Sequence, residues 1–249
     1  MSSTGTAWTQ RFHPRPDAPV RLACLPHAGG AASYFHPVSA ALAPDIDVLA
    51  IQYPGRQNRR TEPPLTTIED LADGVAAAIQ PFTDRPLALF GHSLGALVAY
   101  ETARRLTQAG TPPLTLIASG RRAPSRHREE NVHQRSDDGI LAEIRSLGGT
   151  DARLLDDPEI QAMVLPAVRA DYQAVETYRH PEGPTLTSPV LALVGDNDHL
   201  ATLDEVRDWK RHTTGAFDLT TYPGGHFYLN DHAPAVIAAI RDHLTTLTP

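Results

Sequence analysis

Leu87-Ala88-Leu89-Phe90-Gly91-His92-Ser93-Leu94-Gly95 joins an apolar run of strand type to a G-x-S-x-G pentapeptide, and a helical pattern follows directly. A serine between two glycines at a strand-to-helix turn sits on a sharp, strained backbone that lifts its hydroxyl above the sheet edge. Glycine permits the close backbone approach such a turn requires, where any side chain would collide with the flanking elements. In this context the pentapeptide reads as a nucleophile elbow with Ser93 as the nucleophile. The bland alternative is a glycine-rich turn carrying a solvent serine.

Working outward, short apolar runs alternate with helical patterns. Strands are expected at residues 20–25, 46–51, 87–90, 114–118, 190–194 and 217–222. Most are almost continuously apolar, as befits parallel strands covered on both faces. Residues 66–80 place Ile68, Leu71, Ala72, Val75, Ala76 and Ile79 on one helical face, with Thr66 and Glu69 spaced as a capping box. A helix follows the elbow over 94–107, with Gly110 as its stop. Thr202 and Glu205 repeat the capping-box spacing, and a last helix begins near Pro234 and carries Val236, Ile237, Ile240 and Leu244. This alternation predicts one domain over 1–249 with a doubly wound, mostly parallel sheet.

One interval breaks the rhythm. Between Ala118 and Val190 no strand pattern appears. Ser136 through Leu147 reads as a short helix, and a longer one runs from Pro158 to Tyr178 with Pro166 inside it. An all-helical insertion over 121–186 cannot extend the sheet, so it is expected to cover the sheet's carboxyl edge as a lid, where open α/β sheets bind ligands.

Composition narrows the function classes. The 249 residues suffice for a sizeable core, and 41% hydrophobic with 20% charged residues is ordinary for a globular chain. A net charge of −7 argues against nucleic-acid binding. No apolar stretch is long enough to span a membrane. Met1 through Ala7 has neither the basic head nor the apolar run of a secretory signal, so a cytoplasmic protein is expected. The single cysteine, Cys24, lies in an apolar run and is expected to be a packed core thiol.

A serine hydroxyl needs a base, and around an elbow the partners follow in the order Ser, then Asp or Glu, then His. Of 12 histidines, His226 alone follows the last strand on a glycine-flexed loop, Gly224-Gly225, before the final helix. For the acid, Asp196 and Asp198 both lie in Val194-Gly195-Asp196-Asn197-Asp198-His199. Asp198 is preferred because it stands beyond the tight turn, whereas aspartate at position 196 suits local backbone bonding. Oxyanion donors are expected from the backbone N–H of Leu94, next to the nucleophile, and of Ala28, in the glycine-rich Pro26-His27-Ala28-Gly29-Gly30. No metal or other cofactor is required, and pairs such as His127 and His133 read as surface residues.

Taken together these residues resemble the discrete type II thioesterases that accompany polyketide synthases and nonribosomal peptide synthetases. The resemblance extends along the chain. It includes Tyr53-Pro54-Gly55-Arg56, Ser119-Gly120-Arg121-Arg122-Ala123-Pro124, Leu147-Gly148-Gly149-Thr150, Leu165-Pro166-Ala167-Val168-Arg169-Ala170-Asp171-Tyr172 and Pro223-Gly224-Gly225-His226-Phe227-Tyr228-Leu229. It implies an α/β-hydrolase fold with a helical lid and a Ser93, Asp198, His226 triad. It also implies a thioester substrate on the phosphopantetheine arm of an acyl or peptidyl carrier protein, from which aberrant or stalled acyl groups are removed. Leu94 stands where the family often has methionine, which bears on acyl-pocket shape alone. For carrier docking two basic clusters are candidates: Arg56, Arg59 and Arg60, and Arg121, Arg122, Arg126 and Arg128. The same residues would also serve a small-ester carboxylesterase or a product-releasing, cyclising thioesterase. A non-catalytic binding protein on this fold is the remaining alternative.

Overall fold

The structure is a computed structural model that describes residues 7–149, 156–183 and 185–248. The expected signal-free stretch at 1–6, Thr150 of the Leu147–Thr150 motif, and residues 150–155 and 184 of the expected lid lie outside them.

Seven strands form a single sheet in the order β1-β3-β2-β4-β5-β6-β7. They are β1 Thr9–Gln10, β2 Val20–Leu25, β3 Ile46–Ile51, β4 Leu87–His92, β5 Leu116–Ser119, β6 Val190–Gly195 and β7 Phe217–Tyr222. Only β1 runs antiparallel to its neighbour, with Thr9 opposite Ile51; the other pairings are parallel. β1 escaped the sequence reading because two residues carry no periodicity. It is placed instead by Trp8, whose carbonyl accepts from the Gln52 N–H and whose ring fills the space over Gly74.

Successive strand residues feed opposite cores. On β4, Leu87 and Leu89 join the layer beneath α2 (Ile68–Ile79) and α3 (Leu94–Gln108). Ala88 and Phe90 join the layer beneath α1 (His36–Leu42) and α8 (Ala233–Leu247). Period-two alternation delivering apolar side chains to both faces is why these strands read as unbroken apolar runs. Cys24 is buried among them, and burial pushes its thiol well up, so it is an inert core group.

The helices follow their caps closely. α2 starts one residue later than its expected box: Thr67, not Thr66, caps it by accepting from the Asp70 N–H at 3.1 Å. The shift lets Ile68 open the buried stripe; Ala78 is buried and Ala76 only half-buried. Ser136 caps α4 (Asp137–Leu147), and Asp157 caps α5 (Pro158–Thr177), which continues through Pro166. The Thr202–Glu205 capping box opens α6 (Leu203–Arg207). A one-turn helix, α7 (Tyr228–Asp231), precedes α8.

Strand order reverses direction between β2 and β4, so their carboxyl ends flank a topological switch point, where open α/β sheets take ligands. The β2 end carries the His27–Gly30 loop and the β4 end carries Ser93. Two glycines allow the β4 turn to close. A Cβ on Gly91 would lie 2.1 Å from the Gly95 carbonyl oxygen, and one on Gly95 2.1 Å from the Leu25 carbonyl oxygen. Gly95→Ala is therefore expected to cost more than about 3 kcal/mol or to prevent folding. Gly110→Ala, at φ +80 with open space around it, should cost only about 1–2 kcal/mol. Denaturant titration of both variants checks this; equal, small losses would contradict the close approach.

Candidate active site

Ser93 sits between β4 and α3 with φ +56 and ψ −115, a backbone conformation that side chains rarely adopt. Its N–H is held by the Ser119 carbonyl at 2.9 Å. From this elbow Ser93 Oγ lies 2.9 Å from His226 Nε2, and His226 Nδ1 lies 2.8 Å from Asp198 Oδ2. A carboxylate only accepts, so Nδ1 carries the proton and donates it, leaving Nε2 free to accept the serine hydroxyl. The second Asp198 oxygen accepts from the Leu200 N–H at 2.9 Å. Both Asp198 and His226 are 4% exposed, which shields the line from water. Asp196, the rival acid, is exposed and accepts from the Gly224 N–H and from Asn197 instead.

Two further histidines crowd the site and are kept neutral. His92 is fully buried, and its Nδ1 lies 2.9 Å from Ser119 Oγ, which in turn lies 2.7 Å from the Tyr228 hydroxyl. Its ring centroid is 5.0 Å from that of His226. Burial, then the neighbouring His226 and His27, hold the His92 pKa well below its ordinary value. His27 stands edge-on to Tyr34 and Phe227, and burial with the charges of His226 and Arg56 lowers it from 6.5 to about 3. A cation at either ring would oppose any positive charge placed on His226, 5.0 Å away at the His92 ring.

Opposite the serine, the Leu94 N–H opens α3, and the Ala28 N–H follows β2. Among the described residues neither has a hydrogen-bond acceptor. Ala28, Ser93 and His226 open into one cavity of about 160 Å³, closed above by Ile144 and Leu147 of α4 and by Tyr172 and Val175 of α5. A small polar notch under apolar walls can hold a short acyl group with its carbonyl between nucleophile and donors.

The arginine clusters correct the sequence reading. Arg56 is 7% exposed and grips both oxygens of Asp171 at 2.8 Å. Arg59 is buried over the Trp8 ring and pairs with Glu62. Arg122, 2% exposed, pairs with Glu130 and donates to the Leu200 carbonyl. Arg126 and Arg128 pair with Asp208 and Glu205. Arg121 is buried against the cavity, where burial and Arg122 bring its pKa down to about 9. Arg56, Arg59, Arg121 and Arg122 are thus internal braces and pocket walls; of the seven candidates Arg60 and Arg126 are exposed and Arg128 is half-buried. His133 is likewise no plain surface residue, since its Nδ1 bonds Glu176. No group of three or more metal-ligating side chains occurs among the described residues. No helix among them is long and apolar enough to cross a membrane.

Residues 20–244 match the family model described as a thioesterase domain. The chain is 55% identical to the thioesterase PikA5 of Streptomyces venezuelae over 239 residues, which is 95% of this chain and 85% of that protein. Among solved structures, the type II thioesterase BorB from the borrelidin biosynthetic cluster superposes with a TM-score of 0.90 at 49% identity, covering 96% of this chain and 98% of that one. YbtT, a type II thioesterase from the yersiniabactin pathway, gives a TM-score of 0.88 at 32% identity, covering 98% and 100%.

The buried neutral histidines set a pH dependence. As pH falls from about 6.5 toward 3, the unfolded chain takes up a proton at position 27 that the folded chain refuses, so stability is lost across that window and is flat above it. Unfolding free energies measured between pH 7 and 4.5 should decline. His27→Gln should relieve up to about 1.4 kcal/mol per pH unit of that slope. An unaltered slope in the variant would show that His27 is not the group responsible.

Proposed function

This chain belongs to the thioesterase family, in its type II branch, and we propose that it releases acyl groups from the phosphopantetheine arm of carrier proteins through an acyl-Ser93 intermediate. The observation that carries this reading is the unbroken Asp198–His226–Ser93 line opening into the short, covered cavity. Relatives from the borrelidin cluster and from the yersiniabactin NRPS/PKS pathway support an assembly line of the same kind as the source of substrate, in the cytoplasm.

In the first half-reaction Ser93 Oγ attacks the thioester carbonyl while His226 Nε2 takes the hydroxyl proton. The new imidazolium is stabilised by Asp198, which keeps its own charge. The carbonyl oxygen, now anionic, is received by the N–H groups of Ala28 and Leu94 at the start of α3. One such donor is typically worth about 2.7–4 kcal/mol in the transition state. Collapse expels the pantetheine thiol, which leaves with the proton from His226. Water then attacks the acyl-Ser93 ester with His226 again as base, releasing the free acid. Within 121–186, α4 and α5 act as the lid over this chamber: Ile144, Leu147, Tyr172 and Val175 set the length and girth of acyl chain accommodated. For carrier docking, Arg60 and Arg126 are the candidates left on the surface.

Ser93→Ala should lower kcat by roughly 10⁴–10⁶-fold without altering the fold, and adding His226→Ala should cost little more, because the residues act as a unit. Hydrolysis of short acyl carrier proteins, followed by intact-protein mass spectrometry, should outpace hydrolysis of nitrophenyl esters of the same acids. A preference for the nitrophenyl esters would replace this reading with a small-ester carboxylesterase.

A further inference from the structure

The free Ala28 N–H is held in place by a fixed frame, and one member of that frame comes from the helical segment over the pocket. The His27 carbonyl, which shares a peptide plane with the Ala28 N–H, accepts from the Gly30 N–H at 2.9 Å. The next amide along, Gly29 N–H, donates to Asp171 Oδ2 at 2.7 Å. Asp171 sits on α5 with no exposed surface, 142 residues away in sequence. Its two oxygens take both Nη groups of Arg56 at 2.8 Å, and Arg56 Nη1 also donates to the Gly30 carbonyl at 3.1 Å. Contact is tight as well as polar: Gly29 has φ +74, and a Cβ there would lie 2.8 Å from Val168 Cγ2 on the same helix.

Each peptide flanking Ala28 is thus pinned. The 27–28 plane is set by Gly30, and the 28–29 plane by Asp171. Rotation about the two Ala28 torsions would break one bond or the other, so the Ala28 N–H has one direction in which to point. Preorganised donors of this kind contribute because they do not reorganise during the reaction. A misplacement of about 1 Å can cost on the order of 10²-fold in rate.

We propose that Asp171 is a positioning residue for the oxyanion hole, its carboxylate anchored by Arg56 and holding the Gly29 N–H so that Ala28 faces the reacting carbonyl. This rests on the reading of Ser93 as nucleophile and Ala28 as donor. It also makes α5 and the hole one rigid unit.

The test is Asp171→Asn in the full chain, assayed on an acyl carrier protein and on an acyl-pantetheine. Asparagine keeps the shape but turns an N–H₂ toward Arg56. The expected result is a kcat lowered roughly 10- to 100-fold with KM within about twofold on both substrates. A trifluoromethyl ketone analogue of acyl-pantetheine, which forms a tetrahedral adduct on Ser93, should lose affinity by the same factor. The pair Arg56→Met with Asp171→Leu removes both buried charges together, so it should melt close to the parent yet keep the low kcat. That outcome separates positioning from bracing. Parent-like kcat and ketone affinity in a folded Asp171→Asn overturn the proposal, as does a variant that is only less heat-stable. Ser93→Ala assayed alongside distinguishes the two levels. If it is inactive while Asp171→Asn is fully active, only the positioning role falls. If Ser93→Ala is active, the nucleophile reading falls and takes the positioning role with it.

Discussion

The distance between the start of α3 and the end of β2 governs the whole site. Gly95 packs so closely on the Leu25 carbonyl that no side chain fits between them, and this brings two chain segments 70 residues apart to one point. The Leu94 N–H belongs to one segment and the Ala28 N–H to the other. Were α3 one ångström further out, no single oxygen could meet both. The cost falls on Ser93, whose left-handed backbone is worth about 1–3 kcal/mol of strain. It is offset by the almost complete burial of α3 and by the bond from the Ser93 N–H to the Ser119 carbonyl. A helix packed on both sides cannot relax to relieve one residue, so the strain persists where the chemistry needs an outward hydroxyl.

Around this point the structure controls charge by burial and by pairing. His92 bonds Ser119 Oγ, and His27 packs edge-on against Tyr34 and Phe227, in surroundings that keep both uncharged. His226 alone of the three has a carboxylate partner, Asp198. The ionic groups lining the cavity are largely spoken for: Arg122 with Glu130, Arg135 with Glu143, and Glu176 with His133 and the Val132 N–H. Internal pairing of this sort leaves the apolar side chains of α4 and α5 to face the cavity. It also leaves few free charges to attract water into the chamber.

The elbow, the six longer strands and the long helices were legible because each leaves a local mark: an apolar run, a helical stripe, a cap or a glycine at a turn. The hydrogen-bonded line of Ser93, His226 and Asp198 was legible because their order along the chain follows the order of the strands that carry them. The choice of Asp198 over Asp196 needed only the geometry of one turn. The arginines were misread for the opposite reason. A basic residue in a sequence announces its charge but not its partner: Asp171 is 115 residues from Arg56. Arg122 finds Glu130 only eight residues on, but across an irregular loop with no period to reveal it. β1 was missed because two residues are too few to alternate.

Asp171 had no such mark either; it appeared only as one letter in a longer match, and its role depends on a contact between α5 and a loop on the other half of the chain. That contact bears on how such a site can change. Val168 and Asp171 face the oxyanion loop, while Tyr172 and Val175 face the cavity from the next turn of the same helix. Substitutions at the second pair reshape the cavity while the first pair still holds the His27–Gly30 loop. On the proposed positioning role, selectivity can drift without loss of rate so long as α5 keeps its register, because a slide by one residue would remove both Asp171 and Val168 from the loop. The clamp limits the helix to changes of side chain and forbids changes of position.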